Sequence, residues 1–528
     1  MARRCRTLRH NRAMDLDRDA CYRALLTRDA RFDGRFFTAV LTTHIYCRPI
    51  CPARPPKLEN CIFLPSAAAA QAAGFRPCLR CRPEASPDLA FWRGTSNTVS
   101  RALALIADGA LDEQGVEDLA SRLGMGERHL RRLFRSHIGA SPIAVAQTRR
   151  LLFAKKLLTE TQMPMVEVAL ASGYGSVRRF NSAIRRVFRR APRELRRGSE
   201  EDRPAGTCLS LRLPFAEPYD WPAMVAFLRA RAIAGVEEVG DRCYRRTLAL
   251  EGAHGIVTVR PAADGAPHLL AELQLSRLSV LPAIVARLRR VFDLGADPAA
   301  IARHLAEDPR LAPLVAARPG LRVPGGWDGF EMAVRAILGQ QVTLAAARGL
   351  AGKLVAAYGE RLAIDGGAAD GALRFAFPRP ERLVASDLAA TLGMPRARAA
   401  AITELAEAAI ADKRLFHPTQ SLEKAVERLC RLPGIGEWSA QYIAMRWLRE
   451  PDAFPAADIG LRRAFGAGGP RPSATALLRA AEAWRPWRAY AAQHLWTAES
   501  AAPNPRREGH DAADRQHRVA DRTVSARL

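Results

Sequence analysis

Nowhere does the chain run for about 18 residues of uncharged apolar sequence, so no segment is expected to cross a bilayer as a helix. The N-terminus, Met1-Ala-Arg-Arg-Cys-Arg, lacks the apolar stretch of a secretion signal. A cytoplasmic, nucleoid-associated protein without membrane contact is expected. Cysteine is scarce over most of the length: beyond Cys81 there are only Cys208, Cys243 and Cys430, which excludes a disulfide framework. Lysine is nearly missing, and none follows Lys424. A GC-rich coding sequence accounts for arginine replacing lysine, but it leaves the charge balance unexplained. Acidic residues are too few: 54 against 80 basic ones, a net charge of +26, which predicts a polyanionic partner. Nucleic acid fits better than a membrane surface, because no basic amphipathic anchor flanks an apolar span.

What the chain does have is ample core material, with 48% hydrophobic and 25% charged residues. At roughly 150 residues per domain, 528 residues predict three or four domains. Residues 1–13 are basic and patternless before a second methionine, Met14, and read as a loose tail or an over-extended start. A turn- and cysteine-rich unit is expected over 1–93, ending at the polar Trp92-Arg-Gly-Thr-Ser-Asn. Helical periodicity with glycine breaks fills 94–198, and 199–206 is a charged linker. Strand alternation in Cys208-Leu-Ser-Leu-Arg-Leu and Gly255-Ile-Val-Thr-Val-Arg predicts an α+β unit over 207–285. The helical period returns over 286–500, and 501–528 lacks an apolar stripe and reads as a disordered tail.

Seven of the ten cysteines lie in the first 81 residues. Cys47 and Cys51 form one spaced pair and Cys78 and Cys81 another, so two loops can close on one tetrahedral ion, and the softness of thiolates favours zinc. On spacing alone, a closed site that only staples a small domain is the commoner outcome. Around the pairs, Phe32-Asp-Gly-Arg-Phe-Phe, Thr42-Thr-His-Ile-Tyr-Cys-Arg-Pro-Ile-Cys and Ala73-Gly-Phe-Arg-Pro-Cys-Leu-Arg-Cys resemble the N-terminal domain of the Ada adaptive-response proteins over roughly residues 31–83. The resemblance implies that Cys47 is both a Zn2+ ligand and the acceptor of a methyl group from a DNA methyl phosphotriester. A metal-bound thiolate stays deprotonated at neutral pH, as such a transfer requires. Converting one of four thiolates to a thioether takes the formal charge of the centre from −2 to −1, which should tighten DNA binding. The same resemblance places Thr43, Arg54 and Arg76 against DNA, whereas Pro52 stands where a basic residue is often found. Cys61, outside the quartet, reads as a small buried hydrophobe.

Two segments, Val116 to Arg135 and Met165 to Phe188, each pair short amphipathic helices across a glycine-containing turn, the arrangement that presents a second helix to the major groove. An ordinary helical bundle would also have such turns, but two copies with matched charge are harder to reconcile with that. Arg128, Arg131, Arg132 and Arg135 fall on the first candidate recognition helix, and Arg178, Arg179, Arg185 and Arg186 on the second. The whole segment, with the intervening Ser141-Pro-Ile-Ala-Val-Ala-Gln-Thr-Arg-Arg-Leu, resembles an AraC-type DNA-binding domain. Arg128 and Asn181 could reach either phosphates or base edges.

Leu432-Pro-Gly-Ile-Gly-Glu-Trp-Ser-Ala-Gln-Tyr places a glycine hairpin before a helix, where Gly434 and Gly436 would let backbone N–H groups approach a phosphate. Asp458 follows the hairpin by 22 residues, a remove that resembles the catalytic carboxylate of the helix-hairpin-helix glycosylases. Tyr219-Asp-Trp, Arg318-Pro-Gly-Leu-Arg-Val-Pro-Gly, Ala336-Ile-Leu-Gly-Gln-Gln-Val and the run Trp484 to Trp496 extend the resemblance to the AlkA type of 3-methyladenine DNA glycosylase II over about 207–498. That resemblance implies that Asp458 stabilises an oxocarbenium-like sugar and orients the attacking water. It also implies that Trp438, Tyr442 and Trp496 line the base pocket, though without it core packing would be the better reading of the tryptophans. Aromatic walls suit a cationic alkylpurine, already a good leaving group. Trp438 occupies the hairpin position where lyase-competent relatives carry lysine, so monofunctional hydrolysis is expected. Gln341 stands at the leucine wedge position, and Ile459-Gly460 replaces bulkier residues. No Pro-Cys-His-Arg sequence of an O6-alkylguanine transferase occurs.

The expected protein is multidomain and mainly α with α+β parts. It would comprise a small four-cysteine zinc α/β domain, an all-α double helix-turn-helix domain, and a glycosylase module of an antiparallel sheet plus helix-hairpin-helix subdomains. Its expected function is that of a bifunctional alkylation-response protein: a methylation-activated transcriptional regulator and a DNA-3-methyladenine glycosylase. Its expected partners are double-stranded DNA, both damaged and at promoters, and RNA polymerase, and a monomer is expected. The alternative is a purely DNA-binding regulator whose glycosylase module is inactive.

Overall fold

The computed structural model describes residues 17–87, 97–112, 114–197, 209–362, 372–467 and 469–501. The expected loose start over 1–13, the boundary near residue 94, the linker 199–206 and the tail from 502 lie outside these residues. No helix among the described residues is long and apolar enough to cross a membrane.

The N-terminal unit is built on four short strands, β1 (Phe37–Val40), β2 (Ile45–Cys47), β3 (Cys61–Leu64) and β4 (Arg76–Pro77), in the order β3-β1-β2-β4. The strands β1 and β3 are buried throughout, so neither shows the alternation of a half-buried strand. Parallel pairing of β2 with β4 sets Tyr46 beside Pro77, and the Cys78 amide donates to the Tyr46 carbonyl at 3.0 Å. This pairing brings the two cysteine pairs to one end of the sheet.

The next unit is all-helical, as expected. The long helix Pro142–Glu160 joins two helix pairs, Val116–Arg122 with Glu127–His137 and Met165–Ala171 with Val177–Phe188. Pro142 at its first turn and the Ser141 hydroxyl, which accepts from the Ala144 amide, fix its start. Each pair turns at a glycine with positive φ, Gly124 at 64° and Gly173 at 76°, where a Cβ would be strained.

Beyond residue 208 a five-stranded antiparallel sheet runs in the order β5-β9-β8-β7-β6, from β5 (Leu209–Pro214), β6 (Glu237–Val239), β7 (Tyr244–Leu250), β8 (Ala253–Pro261) and β9 (His268–Leu275). The helix Leu281–Val291 runs through the boundary expected at 285, and its Leu281, Ile284, Leu288 and Val291 join the core of this sheet. The helical remainder is interrupted by a two-residue ladder, β10 (Glu360–Arg361) with β11 (Phe375–Ala376), too short to show alternation in the sequence.

The modules are not beads on a string. Phe180, Ile184 and Phe188 of the second helix-turn-helix share one hydrophobic cluster with Leu211, Val257 and Leu273 of the sheet. Glu84, just past the cysteine quartet, is paired with Lys155 on the long helix. Arg101 reaches into the C-terminal module, donating to both carboxylate oxygens of Glu450 at 2.6 and 2.8 Å and to the Gln420 carbonyl at 2.7 Å. Both partners are buried, so Glu450→Ala would leave an uncompensated guanidinium. We expect it to cost about 3–5 kcal/mol, and Arg101→Met/Glu450→Met to recover most of that. Denaturant unfolding of the full chain measures it, and a loss below about 1 kcal/mol in Glu450→Ala would contradict the lock.

Candidate functional site

The Sγ atoms of Cys47, Cys51, Cys78 and Cys81 all lie within 4.8 Å of one another, the one such cluster among the described residues. A tetrahedral ion with Zn–S bonds of about 2.3 Å calls for sulfurs at about 3.8 Å, so the quartet fits. The donor chemistry agrees: four thiols crowded within reach of one another are soft donors that can hold a zinc ion as thiolates. Cys51, Cys78 and Cys81 are buried while Cys47 is half-buried, so the sulfur expected to accept the methyl group is the accessible one.

Sequence reasoning missed Arg48. Its backbone amide donates to Cys81 Sγ at 3.3 Å, its Nη1 to the Cys81 carbonyl at 3.1 Å, and its Nε to Asp33 at 2.9 Å. Its adjacency to Cys47, with a carboxylate in the preceding aromatic segment, was the available signal. Thr43 and Arg54 are exposed and Arg76 is half-buried. The Arg76 amide donates to the His44 carbonyl at 2.9 Å, which places Arg76 close in the fold to Thr43. The Pro52 carbonyl accepts from Arg28 at 3.2 Å. Cys61 packs with Cys21, Phe36 and Phe63, and burial pushes its thiol up to about 11, so it is the expected small hydrophobe.

On the recognition helices, Arg128, Arg132, Arg135, Arg178, Arg179, Arg185 and Arg186 are exposed. Arg131 is half-buried and paired with Glu127, so it is the least available of the predicted contacts.

In the C-terminal module, Gly434 has φ of 75°, and a Cβ there would meet the Cβ of Ala401 at 2.4 Å, so glycine is required twice over. Gly436 caps the helix Glu437–Ile443 and faces open space, which leaves its backbone approachable. Asp458 caps the helix Ile459–Phe465. Its Oδ1 accepts from the Leu461 amide at 2.9 Å and from Trp496 Nε1 at 2.9 Å, and its Oδ2 from Trp438 Nε1 at 2.9 Å. One lone pair of Oδ2 stays available. The two tryptophans therefore clamp the carboxylate as well as wall the cavity, which the sequence reading did not foresee. Trp438 stacks on Tyr442 with ring centres 5.4 Å apart, and Tyr442 meets Trp496 edge-on at 6.4 Å. With Asp458 they line a cavity of about 870 Å³.

Gln341 is exposed, not in the cavity wall, and holds a left-handed backbone with φ of 55°. Its neighbour Gln340, not singled out from the sequence, donates through Nε2 to the Gly434 carbonyl at 2.7 Å and to Ser439 Oγ at 3.1 Å, tying this loop to the hairpin. A Cβ on Gly460 would stand 3.1 Å from Asp458 Oδ1 and 3.5 Å from the Trp496 ring, so the missing side chain leaves the carboxylate uncrowded.

Trp438→Phe keeps an aromatic ring beside Tyr442 but removes one of the three hydrogen bonds to Asp458. We expect a fall in single-turnover base release of roughly 10- to 100-fold, with DNA affinity little changed. An unchanged rate would remove the clamp from the chemistry.

Fold and site together define a base-excision glycosylase module carried on the same chain as a zinc-thiolate and helix-turn-helix regulator. Family models match along the length: the metal binding domain of Ada over residues 20–84, a helix-turn-helix domain over 119–198, the AlkA N-terminal domain over 210–328, and the HhH-GPD superfamily of base excision DNA repair proteins over 334–489. The chain is 45% identical over 487 residues to the probable bifunctional transcriptional activator/DNA repair enzyme AlkA of Mycobacterium tuberculosis, covering 91% of this chain and 96% of that one. It is 39% identical to DNA-3-methyladenine glycosylase 2 of Escherichia coli over 295 residues, 55% of this chain and 98% of that one. It is 31% identical to the bifunctional transcriptional activator/DNA repair enzyme Ada of Escherichia coli over 211 residues, 39% of this chain and 54% of that one. The chain belongs to the family of bifunctional transcriptional activator/DNA repair enzymes AlkA, with an Ada-type zinc site, a helix-turn-helix regulator and a 3-methyladenine glycosylase module.

Proposed function

We propose that Asp458 carries the base-excision chemistry and that Cys47 is a single-turnover methyl acceptor. The carboxylate clamped by two indole N–H groups in an aromatic cavity, beside a glycine hairpin that can hold the DNA backbone, supports the first assignment best. As the bond from C1′ to the base nitrogen breaks, its electrons leave with the base, and Asp458 faces the positive charge that develops on the sugar. Water then attacks C1′ and loses its proton. A cationic alkylpurine departs neutral, so no strong general acid is required.

At the other site, Zn2+ would keep the four sulfurs deprotonated at neutral pH. Cys47 Sγ attacks the methyl carbon of a methyl phosphotriester; the S–C bond forms, the C–O bond breaks, and a phosphodiester leaves. The loss of one negative charge at the centre then favours the phosphates beside Thr43, Arg54 and Arg76. Arg128, Arg132, Arg178 and Arg179 read promoter DNA, Arg131 contributes less, and RNA polymerase is the partner that a transcriptional activator would engage. Gln341, at the exposed turn beside the cavity, fills the gap left by the flipped base.

Trp438 in place of a lysine makes the excision monofunctional. Incubation with a duplex carrying 3-methyladenine is expected to release free base over several turnovers and to leave a strand that breaks only on later alkali treatment. Strand cleavage without alkali, with a protein–DNA adduct trapped by borohydride, would contradict it.

A further inference from the structure

The cavity beside Asp458 already holds a positive charge. Arg446 lies on the π-helical turn Ala444–Leu448, which continues the helix carrying Trp438 and Tyr442. Turns of this kind re-aim side chains and recur at functional sites. Arg446 is only 1% exposed, yet it lines the cavity. Its guanidinium carbon stands 4.4 Å from the ring centre of Phe227, 5.3 Å from that of Tyr442 and 5.3 Å from that of Trp496. Nη1 donates to the Pro324 carbonyl at 3.0 Å and Nη2 to Gln493 Oε1 at 3.0 Å, while the Nε–H is buried without a partner.

The charge persists at neutral pH: burial draws the guanidinium down only to about 10. Burial alone would push the Tyr442 phenol up, but Arg231 and Arg446 beside it bring it below its ordinary value. Two of the three aromatic walls that would attract a cationic base by their π faces therefore already meet a cation.

We propose that Arg446 is a specificity-determining residue of the excision site. Its guanidinium, set against the faces of Tyr442 and Trp496, disfavours positively charged bases. The pocket thus ranks neutral damaged bases higher, relative to cationic alkylpurines, than its aromatic walls alone would. This rests on the reading of the cavity as the excision site.

The test uses the full chain in single-turnover release from two duplexes differing only in the target, 7-methylguanine (cationic) or hypoxanthine (neutral, with a carbonyl oxygen). In R446Q the ratio of the cationic to the neutral release rate is expected to rise tenfold or more. R446K, which keeps the charge, should hold that ratio within threefold of the unsubstituted protein. Equal falls for both bases in R446Q would reduce Arg446 to a structural role, and a tenfold rise in R446K would overturn the argument from charge. If R446Q fails to fold, as judged by thermal melting, R446K alone decides. Release of neither base by the unsubstituted protein would instead overturn the reading of the cavity itself.

Discussion

Asp458→Asn is expected to lower base release by at least roughly 1,000-fold while DNA affinity stays within a few-fold. The substitution removes the negative charge that is proposed to face the sugar. It also spoils the clamp: an amide can offer one oxygen to the Leu461 and Trp496 N–H groups, but it then turns its own NH2 toward Trp438 Nε1–H, donor against donor. Folding should survive, because asparagine caps a helix about as well as aspartate, and Asp458 caps Ile459–Phe465. Single-turnover release with a parallel binding titration separates the two effects. Unchanged release would take Asp458 out of the mechanism, and lost binding would point to a collapsed helix start instead.

Cys47→Ala is expected to abolish methyl uptake from methylated DNA, whereas Cys61→Ala leaves it intact. Cys47 is the half-buried member of a quartet whose other sulfurs are buried, so it alone can meet a phosphotriester without opening the centre. Cys61 lies in a separate cluster, with its Sγ 3.3 Å from the Lys57 carbonyl. Mass analysis of the peptides after incubation should show one added methyl group on Cys47 and none on Cys51, Cys78 or Cys81. Uptake that persists in Cys47→Ala would reassign the acceptor. Base release by the same variant should be nearly unchanged, because Cys47 lies in the cysteine quartet and Asp458 in a separate cavity.

The candidate sites were legible in the sequence wherever they lay in short-range spacing. The two cysteine pairs, the paired helix-turn-helix segments and the hairpin followed by Asp458 each declare themselves within a few tens of residues. What three-dimensional packing decides was not legible. The indole N–H groups of Trp438 and Trp496 come from helices 58 residues apart and meet on one carboxylate. Arg446 sits in the apolar stretch Ile443-Ala-Met-Arg-Trp-Leu, where a regular helical period gives no hint that a π turn aims it at the cavity. Gln341 was singled out while its neighbour Gln340, which ties the loop to the hairpin, was not, because that bond spans 94 residues. The polar stretch 199–206 reads as a divider between independent modules, yet residues on either side of it share one core. A linker's composition reports its own solvation and says nothing of whether the units it joins pack together.

The most direct test of a chain that both senses and excises is to follow the methyl groups themselves. Zinc-loaded protein is incubated with duplex DNA carrying radiolabelled methyl groups on bases and phosphates, and label is counted in free bases, in protein and in residual DNA. The account predicts label in two places: released bases, rising over many turnovers, and protein, saturating at one methyl group per chain on Cys47. Label confined to protein would mean a DNA-binding regulator with an inactive excision site, and label in neither would contradict both assignments.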